Sequence, residues 1–241
     1  MVGSWIPLLR GLRIDWWEIL DIVRCLNLRC LVGFYGYLAI AGGIDVPSLL
    51  SSRSTDLRAK FGGYQGRKLQ QGDRLNIGDA LDSLQFHECR VLWPYVHTKS
   101  KPLILRFIRG MQSDWFDPAS LETFVNSEFR ISCKSDRIGI RLDGTKMIRS
   151  VEGDMVSQAV VRGSVQVPPD GTPIVLMAEC QTIGGYPQIA HVISADLAKL
   201  ARVSPGVAVR FREVTLDEAR SAWNELERDM KFLNAGLEFL K

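Results

Sequence analysis

Three clusters of side chains in this sequence have the types and spacing to do chemistry. In Asp136-Arg137-Ile138-Gly139-Ile140-Arg141, two guanidiniums flank a glycine. On a strand, alternate residues share a face, so Arg137, Gly139 and Arg141 point one way and Ile138, Ile140 and Leu142 face a core. Two guanidiniums beside a residue without a Cβ form a receptor for a carboxylate or phosphate; the plain alternative is a solvated strand face. In Glu179-Cys180-Gln181-Thr182-Ile183-Gly184-Gly185-Tyr186-Pro187, polar side chains gather round a Gly-Gly pair. Adjacent glycines at positive φ can turn backbone N–H groups on an anion or amide, and the plain alternative is a tight turn. Ser51-Ser52-Arg53-Ser54-Thr55 precedes Phe61-Gly62-Gly63-Tyr64-Gln65-Gly66-Arg67. A hydroxyl-rich loop around an arginine and a Gly-rich aromatic loop suit oxyanion or phosphate contacts, or serve as surface connectors.

Much other chemistry is absent. There is no Gly-x-x-x-x-Gly-Lys, no Gly-x-Gly-x-x-Gly, no His-Glu-x-x-His and no Gly-x-Ser-x-Gly. The three histidines are His87 and His97, in an irregular stretch, and His191, mid-strand between Ala190 and Val192. There a satisfied structural histidine is the better reading than a general base. The five cysteines form no Cys-x-x-Cys pair. Neither a zinc site nor a disulfide framework is expected, and reduced thiols in the cytoplasm are. Lys and Arg total 30 against 27 Asp and Glu, a net charge of +3 mixed along the chain, which excludes a dedicated nucleic-acid binder. The apolar run Cys30–Ala41 is too short and too rich in glycine to span a membrane. Ala39-Ile40-Ala41 resembles a signal-peptidase site, but it lies far from Met1 behind four arginines, so no cleaved signal is expected.

The elements that must position these groups are mostly strands. With 241 residues, 46% of them apolar, the chain makes one large domain or two modest ones. Apolar and polar residues alternate over 103–108, 137–142 and 207–211, the period of a half-buried strand. Residues 165–167 and 173–177, around Pro168-Pro169-Asp170-Gly171, read as a hairpin. Three helices are expected. Asp117-Pro118 supplies a cap and a first-turn proline, Ser194 caps a helix through Leu200, and Thr215-Leu216-Asp217-Glu218 is a capping box. After that box, Ala219, Trp223, Leu226, Met230, Leu233 and Leu237 form an apolar stripe, for packing on the sheet or on a partner subunit. Residues 86–102 read as a connector between the remainder of a first β lobe, 1–85, and a second lobe, 103–241, that carries the C-terminal helix.

Read in order, these segments resemble one family. The motifs are Tyr37-Leu-Ala-Ile-Ala-Gly-Gly-Ile-Asp-Val-Pro47, Ser51 to Thr55, Phe61 to Arg67 with Gly72-Asp73, Ser135 to Gly144, Val165 to Gly171 and Gln181 to Pro187. They resemble the biotin-dependent carboxyltransferase family to which the 5-oxoprolinase C subunit, also called KipA or allophanate hydrolase subunit 2, belongs. The resemblance runs from about Trp5 to about Ala222. It implies a mainly β, cyclophilin-like β-barrel architecture in two β-rich lobes, the first incomplete. Members usually begin with a further β-rich segment bearing a Gln-Asp-Leu-Gly-Arg-like motif, so this chain is expected to enter midway through the first lobe. Where relatives commonly read Ala-Asp-Arg-Gln-Thr-Thr-Gly-Gly-Tyr-Pro, this chain has Glu179, Cys180 and Ile183; Cys180 removes a cation from the expected site. The usual Pro-Gly-Pro reads Arg109-Gly110-Met111.

The resemblance implies one component of an ATP-dependent 5-oxoprolinase, acting with a smaller KipI-like subunit and with a LamB/YcsF-like subunit to open the lactam of 5-oxoproline to glutamate. ATP is then the co-substrate of the complex. One alternative is a carboxyltransferase moving the carboxyl group of carboxybiotin to urea or a similar amide. Another is a non-enzymatic module binding a KipI-like partner, or an inactive truncated remnant. Residue chemistry assigns Arg137 and Arg141, with Arg53 and Gln166, to substrate binding. Gln181 and the Gly184-Gly185 backbone suit the lactam oxygen, Tyr186 covers the ring, and Glu179 positions water or acts as a base once buried.

Overall fold

The alternating runs become strands because each can bury one face. The computed structural model describes residues 12–19, 23–30, 40, 42–78, 101–151, 153 and 155–238. The connector expected over 86–102 lies outside these residues except for Lys101 and Pro102, as do His87 and His97. By contact the chain divides into two units, Tyr37–Cys89 and Met1–Gly36 with Arg90–Leu240. In the second of these, β1 (Leu12–Ile19) pairs antiparallel with β2 (Val23–Cys30) from Leu12↔Cys30 to Ile19↔Val23.

The unit around residues 42–78 holds four two-residue strands, β3 (Ile44–Asp45), β4 (Thr55–Asp56), β5 (Phe61–Gly62) and β6 (Asn76–Ile77). They pair antiparallel as β3 with β6 and β4 with β5. With so few ladder bonds, side chains must hold the loops. Arg67 donates to both carboxylate oxygens of Asp73 at 2.8 Å, and its guanidinium lies 5.1 Å from the Tyr64 ring centroid. Gly66 has φ 64°, and an added Cβ would collide with the Lys60 carbonyl, so only glycine closes this turn. The hydrogen bonds from Arg67 and from the Gln70 N–H hold Asp73 down to about 2, from an ordinary 3.8. The contribution of this clamp is therefore complete above the unfolded value and lost only as pH falls through about 2. In a carboxyl-carbon NMR titration, Asp73 is expected to have its midpoint near 2, and Arg67→Ala is expected to move that midpoint up.

The larger unit continues with β7 (Leu103–Arg109), β8 (Phe129–Ile131), β9 (Gly139–Asp143), β10 (Gln158–Ala159), β11 (Ser164–Gln166), β12 (Ile174–Leu176), β13 (Ile183–Gly184), β14 (Gln188–Val192) and β15 (Ala208–Glu213). Seven of these strands close a barrel in the order β11-β12-β9-β8-β15-β7-β14, with β14 pairing back to β11. Only β15 and β7 run parallel; β10 and β13 form a separate two-stranded ladder. Each barrel strand delivers a fully buried side chain to the interior: Leu105, Phe129, Leu142, Val165, Val175, Val192 and Val209. This is the mainly β barrel architecture implied by the resemblance, and the hairpin expected around Pro168–Gly171 is β11 with β12.

Three α-helices lie among the described residues. α1 (Pro118–Asn126) starts at the expected cap: the Asp117 carboxylate accepts from the Ser120 N–H at 2.7 Å and from its hydroxyl at 3.0 Å. The helix brings Phe124 onto Phe211, with ring centroids 4.2 Å apart. Asp117→Ala is expected to cost about 0.5–2 kcal/mol, read as a lower urea midpoint at unchanged slope. α2 (Ser194–Leu200) has Ile193, not Ser194, at the cap position, because Ser194 already lies within the first turn. α3 (Leu216–Glu238) opens with the expected capping box: the Thr215 N–H donates to Glu218 at 2.7 Å and the Glu218 N–H returns to the Thr215 hydroxyl at 3.2 Å. Of the expected stripe, Ala219, Leu226 and Leu233 are half-buried, whereas Trp223 and Met230 are 43% and 42% exposed, so these residues are only partly covered within this chain. No helix among the described residues is long and apolar enough to cross a membrane.

Candidate functional site

A β-bulge sets the centre of the site. Between β11 and β14 the register moves from Val165↔Ala190 to Gln166↔Gln188, so β14 carries one extra residue there. Such a bulge re-aims the side chain beside it. Ser164, Val165 and Gln166 are all buried, breaking the alternation, and Gln166 is only 2% exposed. A buried amide must find partners. The Gln166 Nε2 donates to the Tyr186 carbonyl at 3.3 Å, and its Oε1 accepts from the Gln181 Nε2 at 3.5 Å. Gly184 makes room for this: an added Cβ would stand 2.5 Å from the Gln166 Nε2.

Gly184 and Gly185 do not adopt the positive φ expected of them. Gly184 pairs with Gln158 in the β10–β13 ladder, and its role is steric rather than conformational. Three more glutamines extend the polar cluster. The Gln112 Nε2 donates to Gln158 at 2.9 Å, the Gln188 N–H donates to the Gln112 Oε1 at 3.2 Å, and the Gln188 Nε2 donates to the Ala159 carbonyl at 3.3 Å. These bonds tie β10 to β14 and to the segment that follows β7. Sequence reasoning missed Gln112, Gln158 and Gln188. The available signal was a glutamine, Gln188, opening the strand ahead of the apolar pair Ile189-Ala190.

Arg137 and Glu179 come together. The Arg137 Nη2 lies 2.8 Å from the Glu179 Oε1, and the Glu179 N–H donates to the Arg137 carbonyl at 3.0 Å. Their side chains are 63% and 51% exposed, so the burial that a base role for Glu179 requires is not provided. The receptor expected across Gly139 is also different. β9 begins at Gly139, leaving Arg137 in the bend before it, and a Cβ at Gly139 would meet the Ile174 side chain at 2.7 Å. Glycine there admits a neighbouring strand rather than a ligand. Arg141 is exposed on the outer face of β9, where its charge acts on Asp170; a backbone hydrogen bond from Thr172 is the larger reason that Asp170 is held below its ordinary value.

The structure thus joins Gln166, Gln181, Gly184 and Tyr186, pairs Arg137 with Glu179, and leaves Arg53 in the other unit. There Arg53 lies 3.9 Å from Asp45 and donates to the Ile44 carbonyl at 3.4 Å. His191 is held below its ordinary value by burial, with its Nδ1 3.5 Å from the Ser164 hydroxyl. Among the described residues, no three His, Cys, Asp or Glu side chains stand together as a metal site. Within this cluster Gln166, Gln112 and Gln188 are buried, whereas Gln181 and Tyr186 are exposed, and an exposed glutamine amide can offer both a donor and an acceptor.

The sequence model of the carboxyltransferase domain, subdomains A and B, matches residues 12–213. The chain is 40% identical over 198 residues to the 5-oxoprolinase C subunit of Escherichia coli, covering 81% of this chain and 61% of that protein. It is likewise 40% identical over 193 residues to the 5-oxoprolinase C subunit of Haemophilus influenzae, covering 79% and 60%. The chain therefore spans about three fifths of the length of these relatives. Among solved structures, the Kluyveromyces lactis urea amidolyase superposes with a TM-score of 0.68 at 25% identity, over 87% of this chain and 14% of that one. With the family model covering most of its length and the barrel in place, the chain belongs to the carboxyltransferase domain family.

Proposed function

We propose that this chain is the C subunit of an ATP-dependent 5-oxoprolinase of the cytoplasm, working with a KipI-like subunit and with a LamB/YcsF-like subunit. The observation that carries this reading is the 40% identity shared with both bacterial proteins. The glutamine cluster supports it chemically. An unstrained lactam is a poor electrophile, and phosphorylation of its oxygen by ATP supplies the activation. The protein then has to orient the ring and meet charge as it develops. Gln181, braced by Gln166, faces the lactam amide, and Tyr186 covers the ring. An exposed ion pair such as Arg137–Glu179 contributes only about 0–1 kcal/mol. A substrate carboxylate can therefore replace Glu179 on the guanidinium, releasing Glu179 to orient water.

The test is glutamate formation from 5-oxoproline by the co-purified three-subunit complex. Activity is expected to need ATP and this chain, and Gln181→Ala is expected to lower kcat about 10-fold or more with the complex intact. An assembled complex that forms no glutamate would overturn the proposal. The likeness to urea amidolyase favours a second reading, carboxyl transfer from carboxybiotin to a urea-like amide at the same cluster. That reaction alone is blocked by avidin.

A further inference from the structure

The Gly-rich aromatic loop has no part in the chemistry above, yet it lines a groove of about 450 Å³ within residues 45–76. That volume falls in the range of organic-ligand sites, about 300–1,000 Å³. Its lining combines two kinds of surface. Val46, Pro47 and Phe61 are apolar, with Phe61 43% exposed, while Lys60, Arg74 and Asn76 are polar. Lys60 and Arg74 have no ion pair or side-chain hydrogen bond with any described residue. The one acidic side chain in the lining, Asp45, lies 3.9 Å from Arg53. The groove therefore presents two cations that form no ion pair with a described residue, over an apolar floor.

The walls are built to keep that form. The two-bond Arg67–Asp73 clamp, the Arg67 guanidinium against Tyr64 and the glycine-only turn at Gly66 fix the loop. Lys60 itself has φ 56°, a left-handed conformation that costs a lysine about 1 kcal/mol or more. Such strain is retained where the surrounding structure over-determines it, commonly at ligand sites.

We infer that this groove binds an organic anion, with Lys60 and Arg74 gripping a phosphate or carboxylate and Phe61 and Pro47 supporting the flat or apolar body attached to it. The inference is independent of the reaction proposed above, because no residue of the groove acts there, and a binding assay tests it without turnover.

Isothermal titration of the full-length chain with AMP, biotin and inorganic phosphate distinguishes the sources of the anion. At least one of the two organic anions is expected to bind at least 10-fold more tightly than inorganic phosphate. AMP as the tighter ligand assigns the site to phosphates, and biotin assigns it to carboxylates. Lys60→Gln with Arg74→Gln is expected to weaken that binding at least 10-fold. Lys60→Arg with Arg74→Lys, which keeps both charges, is expected to retain it and guards against a folding defect. Binding unchanged in the Gln pair, inorganic phosphate binding as tightly as the organic anion, or no heat from any probe at millimolar concentration would each overturn the inference.

Discussion

Asp196→Ala is expected to lower the stability of the chain by about 3–5 kcal/mol, among the largest single-residue effects here. Asp196 has a fully buried carboxylate in the first turn of α2. It accepts from the Arg106 N–H at 2.9 Å, from the Arg106 Nε at 3.0 Å and Nη2 at 2.7 Å, and lies 2.6 Å from the Lys199 Nζ. One side chain thus fastens α2 to β7 and neutralises two cations whose own side chains are only 24% and 23% exposed. Its removal leaves those cations without their buried counter-charge. A urea-midpoint loss equivalent to less than about 1 kcal/mol would show that the network behaves as an exposed surface pair.

The same network sets a pH dependence. Burial works to raise the Asp196 pKa, but the hydrogen bonds from the Arg106 side chain, Lys199 and the Arg106 backbone outweigh it and hold the value below the ordinary one. A depressed carboxylate stabilises the fold fully above its unfolded pKa and loses that contribution as pH falls through the folded value. The stability gap between the wild type and Asp196→Ala is therefore expected at its full size at pH 7. It should narrow in acid, below the ordinary carboxylate range.

What the sequence makes legible is what neighbours along the chain determine. The caps at Asp117 and Thr215 involve residues three positions apart, so they can be read directly and are found in place. The alternation Leu103, Leu105, Phe107 marks β7 because one face must enter the barrel. The family motifs carried the rest of the fold. The start of the chain reads as part of a first β lobe, without the strands β1 and β2 being located in it. Gly139 shows the limit at the site. Its spacing between Arg137 and Arg141 invites an anion, yet its missing Cβ accommodates Ile174 from a strand 35 positions away. Arg106 and Asp196 stand 90 positions apart, and no local pattern pairs them. Gln166 was found through a motif, but its reach to Gln181 depends on a bulge in β14, which appears only once two strands are in register.

The two adjacent glycines have different surroundings, and substitution should separate their roles. If Gly184 and Gly185 served together as a backbone anion nest, alanine at either position would disturb the reaction alike. The structure predicts asymmetry. At Gly185 an added Cβ meets nothing nearer than the Ser157 hydroxyl at 3.5 Å and the Met155 carbonyl at 3.6 Å, both ordinary contacts. At Gly184 it would stand 2.5 Å from the Gln166 Nε2, an amide that is buried and already bonded to the Tyr186 carbonyl and Gln181. Gln166 must shift, and Gln181 loses its brace. A catalytic group misplaced by about 1 Å costs about 100-fold. Gly184→Ala is therefore expected to lower kcat of the assembled complex about 100-fold, and to cost about 1–3 kcal/mol by overpacking. Gly185→Ala should stay within about 2-fold, since neither residue needs positive φ. Adding Gln166→Ala to Gly184→Ala removes the clash, so stability should recover while activity does not. Recovery of both would make Gln166 a packing residue, and equal losses at Gly184 and Gly185 would return the site to the backbone nest.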